Sequence, residues 1–217
     1  MPRTGVIREK VREKMAVITI SRHFGAGGRT LGETLAKRLG YRYVNEDMIR
    51  DVAKKAGVSS KQVRAFEKDG GSKLLKFMDT IVSRGFIDRL VSEKHGYIDE
   101  RSYVPVVKAL IEEIYEKGNA VVIGRGSQYI LKDHENTLHL LLVADLEHRI
   151  RFMMDKYKLT EDNAQKVIRR ADQIRANFLC LFSDKASHDD PLCYDLVVNM
   201  NRMSMEKAVE IVVGLVS

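Results

Sequence analysis

The sequence predicts an α/β domain built on a parallel sheet, and three observations carry that expectation. Short apolar or β-branched runs alternate with segments whose apolar residues recur at helical spacing. The run Leu138 to Ala144 is almost continuously apolar, as a central parallel strand covered on both faces requires. Between the first strand and the first helix, three glycines fall in four positions, Gly25-Ala26-Gly27-Gly28. Glycines let backbone N–H groups approach an anion, and a helix N-terminus adds unpaired donors and a favourable dipole. An ordinary tight turn would need fewer of them.

The elements follow in order. Ala16 to Ile20 reads as the first strand, and Leu31, Leu35, Ala36 and Leu39 mark a helix that Gly40 ends. Tyr41 to Val44 reads as the second strand. Asn45-Glu46-Asp47 follows, and Met48, Ile49 and Val52 open a helix. Asp47 thus stands at the C-terminal end of a strand, where open α/β sheets bind ligands. A plain helix-capping role fits it equally. Residues 57–118 hold helical stripes and no strand, with a loop at Gly96 to Ser102 and a helix over Val104 to Lys117. A helical stretch between the second and third strands suggests an inserted subdomain.

Asn119 to Ile123 is the third strand, ending in Gly124-Arg125-Gly126-Ser127. An arginine there is placed to grip a phosphate with its planar fork. Thr137 to Val143 forms the fourth strand, and Asp145 to Tyr157 the helix after it. Thr160 caps a further helix, in which Arg169, Asp172 and Arg175 recur at intervals of three on or near one face. Such charges suit a solvated surface, and they also suit a basic lid. Tyr194 to Asn199 is the fifth strand, and Ser204 caps the last helix.

Composition narrows the partners. The chain has 217 residues and a formal charge of +7, which favours phosphate-rich ligands. Its few aromatic residues do not interleave with the basic ones, so a single-strand nucleic-acid platform is not expected. No apolar run reaches the about 20 residues that span a bilayer. Basic residues interrupt any signal-like segment in residues 1–15, which read as a basic arm. Two cysteines, Cys180 and Cys193, show no metal spacing and make no disulfide framework. A reducing, cytoplasmic setting is expected.

Taken together, these segments resemble the cytidylate kinase-like family, a branch of the nucleoside-monophosphate kinases with the P-loop fold. The carriers are Ile18-Thr19-Ile20-Ser21-Arg22, Gly25-Ala26-Gly27-Gly28-Arg29, Val121-Val122-Ile123-Gly124-Arg125-Gly126, Ala144-Asp145-Leu146-Glu147-His148-Arg149, Asp172-Gln173-Ile174-Arg175-Ala176-Asn177 and Tyr194-Asp195-Leu196-Val197-Val198-Asn199. Their order and spacing run from Ala16 to the C-terminus. The resemblance implies one domain over 16–217, with a five-stranded parallel sheet and helices on both faces. It also implies a helical acceptor-side insert about 57–118 and a basic lid about 151–185. The implied reaction moves the γ-phosphoryl group of ATP, with Mg²⁺, to a nucleoside monophosphate, CMP or dCMP. Gly25, Ala26, Gly27, Gly28, Arg29 and Thr30 would hold the ATP phosphates, with Thr30 also on the metal. Asn45, Asp47, Arg125, Arg169, Asp172 and Arg175 would serve the acceptor. Arg22, Arg29, Arg149 and Arg175 would neutralise charge during transfer.

The P-loop pattern G-x-x-x-x-G-K-[ST] is broken here. Aligned without gaps, Arg22 takes the first glycine, Gly27 the second, and Gly28 the lysine position. Shifted by one, Gly28-Arg29-Thr30 supplies glycine, cation and hydroxyl, but His23 takes the first glycine. Arg22 and Arg29 are the candidate replacements for the lysine. A degenerate loop also admits a nucleotide-binding regulator without turnover. Asn45 and Gly126 depart too, since cytidylate kinases carry aspartates near the matching places.

Overall fold

The computed structural model describes residues 16–45, 48–49, 100–184 and 187–216. The arm at 1–15, most of the expected insert, and Asp47 lie outside the described residues. Five strands form one sheet: β1 (Val17–Arg22), β2 (Arg42–Val44), β3 (Ala120–Ile123), β4 (Thr137–Val143) and β5 (Leu196–Asn199). Their order is β2-β3-β1-β4-β5, and every pairing is parallel. The helices are α1 (Gly28–Leu39), α2 (Glu100–Lys117), α3 (Ser127–Ile130), α4 (Leu146–Tyr157), α5 (Glu161–Leu179) and α6 (Met205–Val216).

Alternation along the central strands divides the core between two faces. Ile18 and Ile20 of β1, Val121 and Ile123 of β3, and Leu140 and Leu142 of β4 face α1 and α6. Val17, Ala120 and Val122 face the other way, onto Val107, Leu110, Ile111 and Ile114 of α2. Helices therefore cover both faces, and β1, the strand that leads into the glycine loop, is buried from Val17 to Ser21. A third cluster joins α4 to α5 through Ile150, Met153, Ala164, Val167 and Ile168, with Phe24 of the glycine loop packed against it.

Three element boundaries move. Helix α2 begins at Glu100, so residues 100–102, read as loop, are helical and Pro105 falls inside the helix. Pro105 stands past the first turn, whose N–H groups lack intrahelical partners, so the helix forgoes one backbone hydrogen bond there. Asp145 stands before α4 as its N-cap, accepting from His148 N at 2.8 Å. Strand β5 starts at Leu196, after a 3₁₀ turn at Pro191–Cys193. Thr160 caps α5 as expected, accepting from Asn163 N. No helix among the described residues is long and apolar enough to cross a membrane.

Two of the buried polar side chains on these strands pair with each other. His139 Nδ1 and Thr19 Oγ1 lie 2.7 Å apart across β1 and β4, and Thr137 Oγ1 is 3.3 Å from the other ring nitrogen. Burial holds the His139 ring below the ordinary histidine range, against the opposing pull of Asp195. Thr19→Val should cost about 1–3 kcal/mol, because it strands one side of a buried imidazole. Urea unfolding measures it; Thr19→Ser, which keeps the hydroxyl, should lose less, and equal loss in both variants would sink the account.

Candidate functional site

A parallel sheet aligns the C-terminal ends of its strands along one edge. Here that edge carries the loop after β1 (His23 to Gly27), the turn after β3 (Gly124 to Gly126) and the start of α4 after β4. His23 N still follows the sheet, donating to Leu142 O at 2.9 Å, and Gly124 N donates to Ile20 O at 3.0 Å. The edge is where ligands of open α/β sheets bind.

Gly25 and Gly27 both adopt left-handed backbone, φ +86° and +85°. Gly27 is the N-cap of α1, which starts at Gly28. The loop therefore closes on Gly27 as its second glycine. That selects the ungapped register: Arg22 at the first glycine position, Gly28 at the lysine, Arg29 at the hydroxyl. A Cβ on Gly25 would stand 3.1 Å from Arg149 Cβ and 3.2 Å from Arg149 O, so the loop also needs glycine there for space. Gly28 is not left-handed. A Cβ on it would instead meet the stem of Arg22, 2.9 Å from Cγ and 3.2 Å from Cδ. Arg22, Phe24, Gly25, Gly27, Gly28, Arg29, Thr30, Phe152, Met153 and Tyr157 line an open cleft of about 440 Å³. Backbone donors, a twelve-residue helix start and basic side chains at its rim make it a fit for the phosphates of a nucleotide.

The expected arginines enter in different ways. Arg149 of α4 donates from one guanidinium nitrogen to Asp172 Oδ2 at 2.6 Å and Phe24 O at 3.3 Å. Asp172 Oδ1 accepts from Phe24 N at 3.1 Å. This ion pair thus grips both peptide groups of Phe24. Asp172, expected at the acceptor, is turned toward the glycine loop. Arg149 Nε is buried without a hydrogen-bond partner among the described residues. One turn further along α5, Arg175 donates to Ser21 Oγ at 3.0 Å and to Asp189 Oδ1 at 2.7 Å. Arg169 is exposed on the same helix.

Asp189 escaped the sequence reading. Its other oxygen lies 3.3 Å from His23 Nε2, so one carboxylate bridges the glycine loop to α5. Burial alone would raise this carboxyl, but hydrogen bonds and charge from His23 and Arg175 hold it well below the usual carboxylate range. The only signal was an acidic pair in a polar stretch, with no periodicity to place it. Lys156 was also missed. Its ammonium donates to Thr30 Oγ1 at 3.0 Å.

That contact bears on the metal. Thr30 lies one position beyond the hydroxyl of the P-loop pattern, and its oxygen faces an ammonium. No group of three metal-ligating His, Cys, Asp or Glu side chains gathers among the described residues. Thr30, expected on the metal, accepts from Lys156 through its hydroxyl oxygen.

The acceptor-side residues lie along the same edge. Asn45, after β2, is buried and its Oδ1 accepts from Met48 N at 3.0 Å, so it caps the following turn. This is the capping role that the sequence offered to Asp47. Arg125 has φ +59° between two left-handed glycines. Its guanidinium carbon sits 5.0 Å from the Phe178 ring centroid, a cation–π contact from α5. A Cβ on Gly126 would meet the Phe182 ring at 2.8 Å, which leaves no room for the aspartate found there in cytidylate kinases.

The sequence profile of the cytidylate kinase-like family matches residues 17–202. No curated protein matches the chain. Among solved structures, an uncharacterized protein from Eubacterium ventriosum aligns with TM-score 0.67 at 16% identity, covering 93% of this chain and 98% of that one. A shikimate kinase from Acinetobacter baumannii gives 0.46 at 17% identity over 94% of each chain. A gluconokinase from Sinorhizobium meliloti gives 0.48 at 13% identity, covering 94% of this chain and 93% of that one.

The Asp189 bridge has a pH signature. A depressed carboxyl stabilises the fold fully above its unfolded pKa of about 3.9, and loses that contribution as pH falls toward its folded value. Asp189→Asn should therefore lower Tm by a constant amount down to about pH 5, and the gap to wild type should close below about pH 4. Thermal unfolding between pH 2.5 and 7 checks it; a gap that stays constant to the acid end contradicts the bridge.

Proposed function

The chain belongs to the cytidylate kinase-like family of P-loop kinases, whose chemistry is phosphoryl transfer, and on that premise we propose that it phosphorylates a nucleoside monophosphate, CMP or dCMP. The observation that carries this is the glycine loop with α1 behind it, opening on a cleft rimmed by basic side chains. ATP supplies the γ-phosphoryl group. Gly25, Ala26, Gly27, Gly28, Arg29 and Thr30 bind its phosphates, chiefly through backbone N–H groups. Arg125 grips the acceptor phosphate by its fork. Asn45 and Asp47 border the acceptor side, and the insert about 57–118 encloses it. Residues about 151–185 act as the lid, carrying Arg169, Asp172 and Arg175 over the two phosphates, with Arg149 on the same side just before it.

Transfer between phosphates demands alignment and charge neutralisation more than acid–base chemistry, because the acceptor oxygen is already a nucleophile. Arg175 and Arg149 are held ready by Asp189 and Asp172. On binding, each guanidinium shares its donors with phosphate oxygens, and the lid excludes water. Arg22 and Arg29 are the two candidates for the cation that the missing lysine leaves to other residues.

The missing lysine favours a second reading, a regulator that binds ATP without turnover. ADP release from ATP, measured with CMP, dCMP, UMP, AMP and shikimate as acceptors, separates the two. The kinase reading expects turnover with CMP or dCMP above all others. ATP binding without turnover on any acceptor gives the regulator instead. In a turning-over enzyme, Arg125→Ala should raise KM for the acceptor about tenfold more than KM for ATP; an equal rise for both would remove Arg125 from the acceptor.

A further inference from the structure

The P-loop lysine has not simply been lost. In the register that the backbone adopts, two positions of the pattern have changed together. The first glycine is Arg22 and the lysine is Gly28. The two are in contact: the space where a side chain on Gly28 would begin is taken by Cγ and Cδ of Arg22, at 2.9 and 3.2 Å, with Cβ at 3.3 Å. A lysine at 28 and an arginine at 22 would compete for one channel. Gly28 has no conformational need to be glycine, since its φ is not positive. The demand comes from Arg22.

We infer that Arg22 is the phosphate-binding cation of this site, reaching the nucleotide from the end of β1 along the path that a P-loop lysine takes from the start of α1. The inference rests on the ATP reading above. It separates Arg22 from its rivals by position. Arg29 lines the same cleft from the hydroxyl place of the pattern, where its charge acts on Tyr157 of α4, whereas it is the stem of Arg22 that fills the space beside Gly28, the lysine position. Lys156 approaches from α4 and is engaged by Thr30 Oγ1. Arg22 belongs to the buried strand, and its stem runs over Gly28 into the lined cleft.

The arginine brings different chemistry from a lysine. Its planar fork presents donors to two oxygens at once, and it stays charged throughout. Its methylene stem is shorter than a lysine's, but the guanidinium extends its reach from a root six residues earlier in the chain.

Calorimetric titration with ATP tests the exchange in the full chain, beside thermal unfolding of each variant. Arg22→Ala should weaken ATP binding about tenfold or more, while the exposed α1 variant Arg38→Ala binds as wild type. Arg29→Ala should lose less than Arg22→Ala. Gly28→Lys alone should bind weakly and unfold at lower temperature, because two cationic stems share one channel. The double variant Arg22→Gly with Gly28→Lys restores the ordinary pattern, and should recover ATP binding to within about threefold of wild type. Recovery in the double variant supports the exchange even if Arg22→Ala itself folds poorly. A double variant no better than Arg22→Ala overturns it, as does Arg22→Ala binding like wild type or better than Arg29→Ala. A wild type that binds no ATP would overturn the ATP reading together with this inference; a wild type that binds while the exchange fails overturns the inference alone.

Discussion

A glycine loop that wraps an anion cannot satisfy its own backbone, so its shape depends on groups brought from elsewhere. In this protein the ion pair Arg149–Asp172 does that, holding both the N–H and the C=O of Phe24. The Phe24 ring then packs with the cluster that joins α4 to α5, and Gly25 passes under the backbone of Arg149 with no room for a Cβ. The loop's first residue is tied by the second clasp, His23 to Asp189 to Arg175. Asp172 and Arg175 are three residues apart, so a single face of α5 serves both clasps. These pairs are part-buried, with the arginines the more enclosed partners, so losing a carboxylate leaves the enclosed guanidinium without its partner. Loop geometry and the α4–α5 pair are therefore one mechanical unit.

The same arrangement governs the electrostatics. Arg149 and Arg175 each carry a carboxylate partner of their own, so the guanidinium groups are oriented before any phosphate arrives. Preorganised donors avoid a reorganisation cost at the moment when charge develops. In the proposed kinase reading, a phosphate would compete with Asp172 and Asp189 for the same donors.

Most of the fold was legible because it rests on short-range pattern. The apolar strand runs, the apolar spacing of α1 and α2, the caps at Thr160 and Ser204, and the glycine junction are all local signals. What escaped was long-range and polar. Asp189 reaches His23 across 166 residues from a stretch with no periodicity. Asp172 and Arg149 were visible as charged residues, but nothing in their spacing shows that they pair with each other over Phe24. Asn45 and Asp47 both suit a cap, and only the backbone direction after β2 assigns it to Asn45. The start of α2 was drawn too late, at Val104, whereas the helix begins at Glu100 and holds Pro105 a turn inside. The degenerate pattern was visible at once, but its register needed the conformation of Gly27.

Where the cation is rooted changes how the site responds to motion. A lysine at the start of α1 rides on the first turn of that helix, directly behind the glycine loop. Arg22 is rooted in β1, whose neighbours β3 and β4 flank it and whose preceding residues are buried. A central parallel strand is among the most rigid elements of such a fold, since ladder bonds on both sides and packing on both faces restrain it. The loop between Arg22 and Gly28 is coupled to α4 and α5 through Phe24 and His23, so it follows those helices. An arginine rooted in the sheet keeps its origin while the loop moves. In the proposed role of Arg22, the charge would be rooted in the sheet and the backbone donors in the loop.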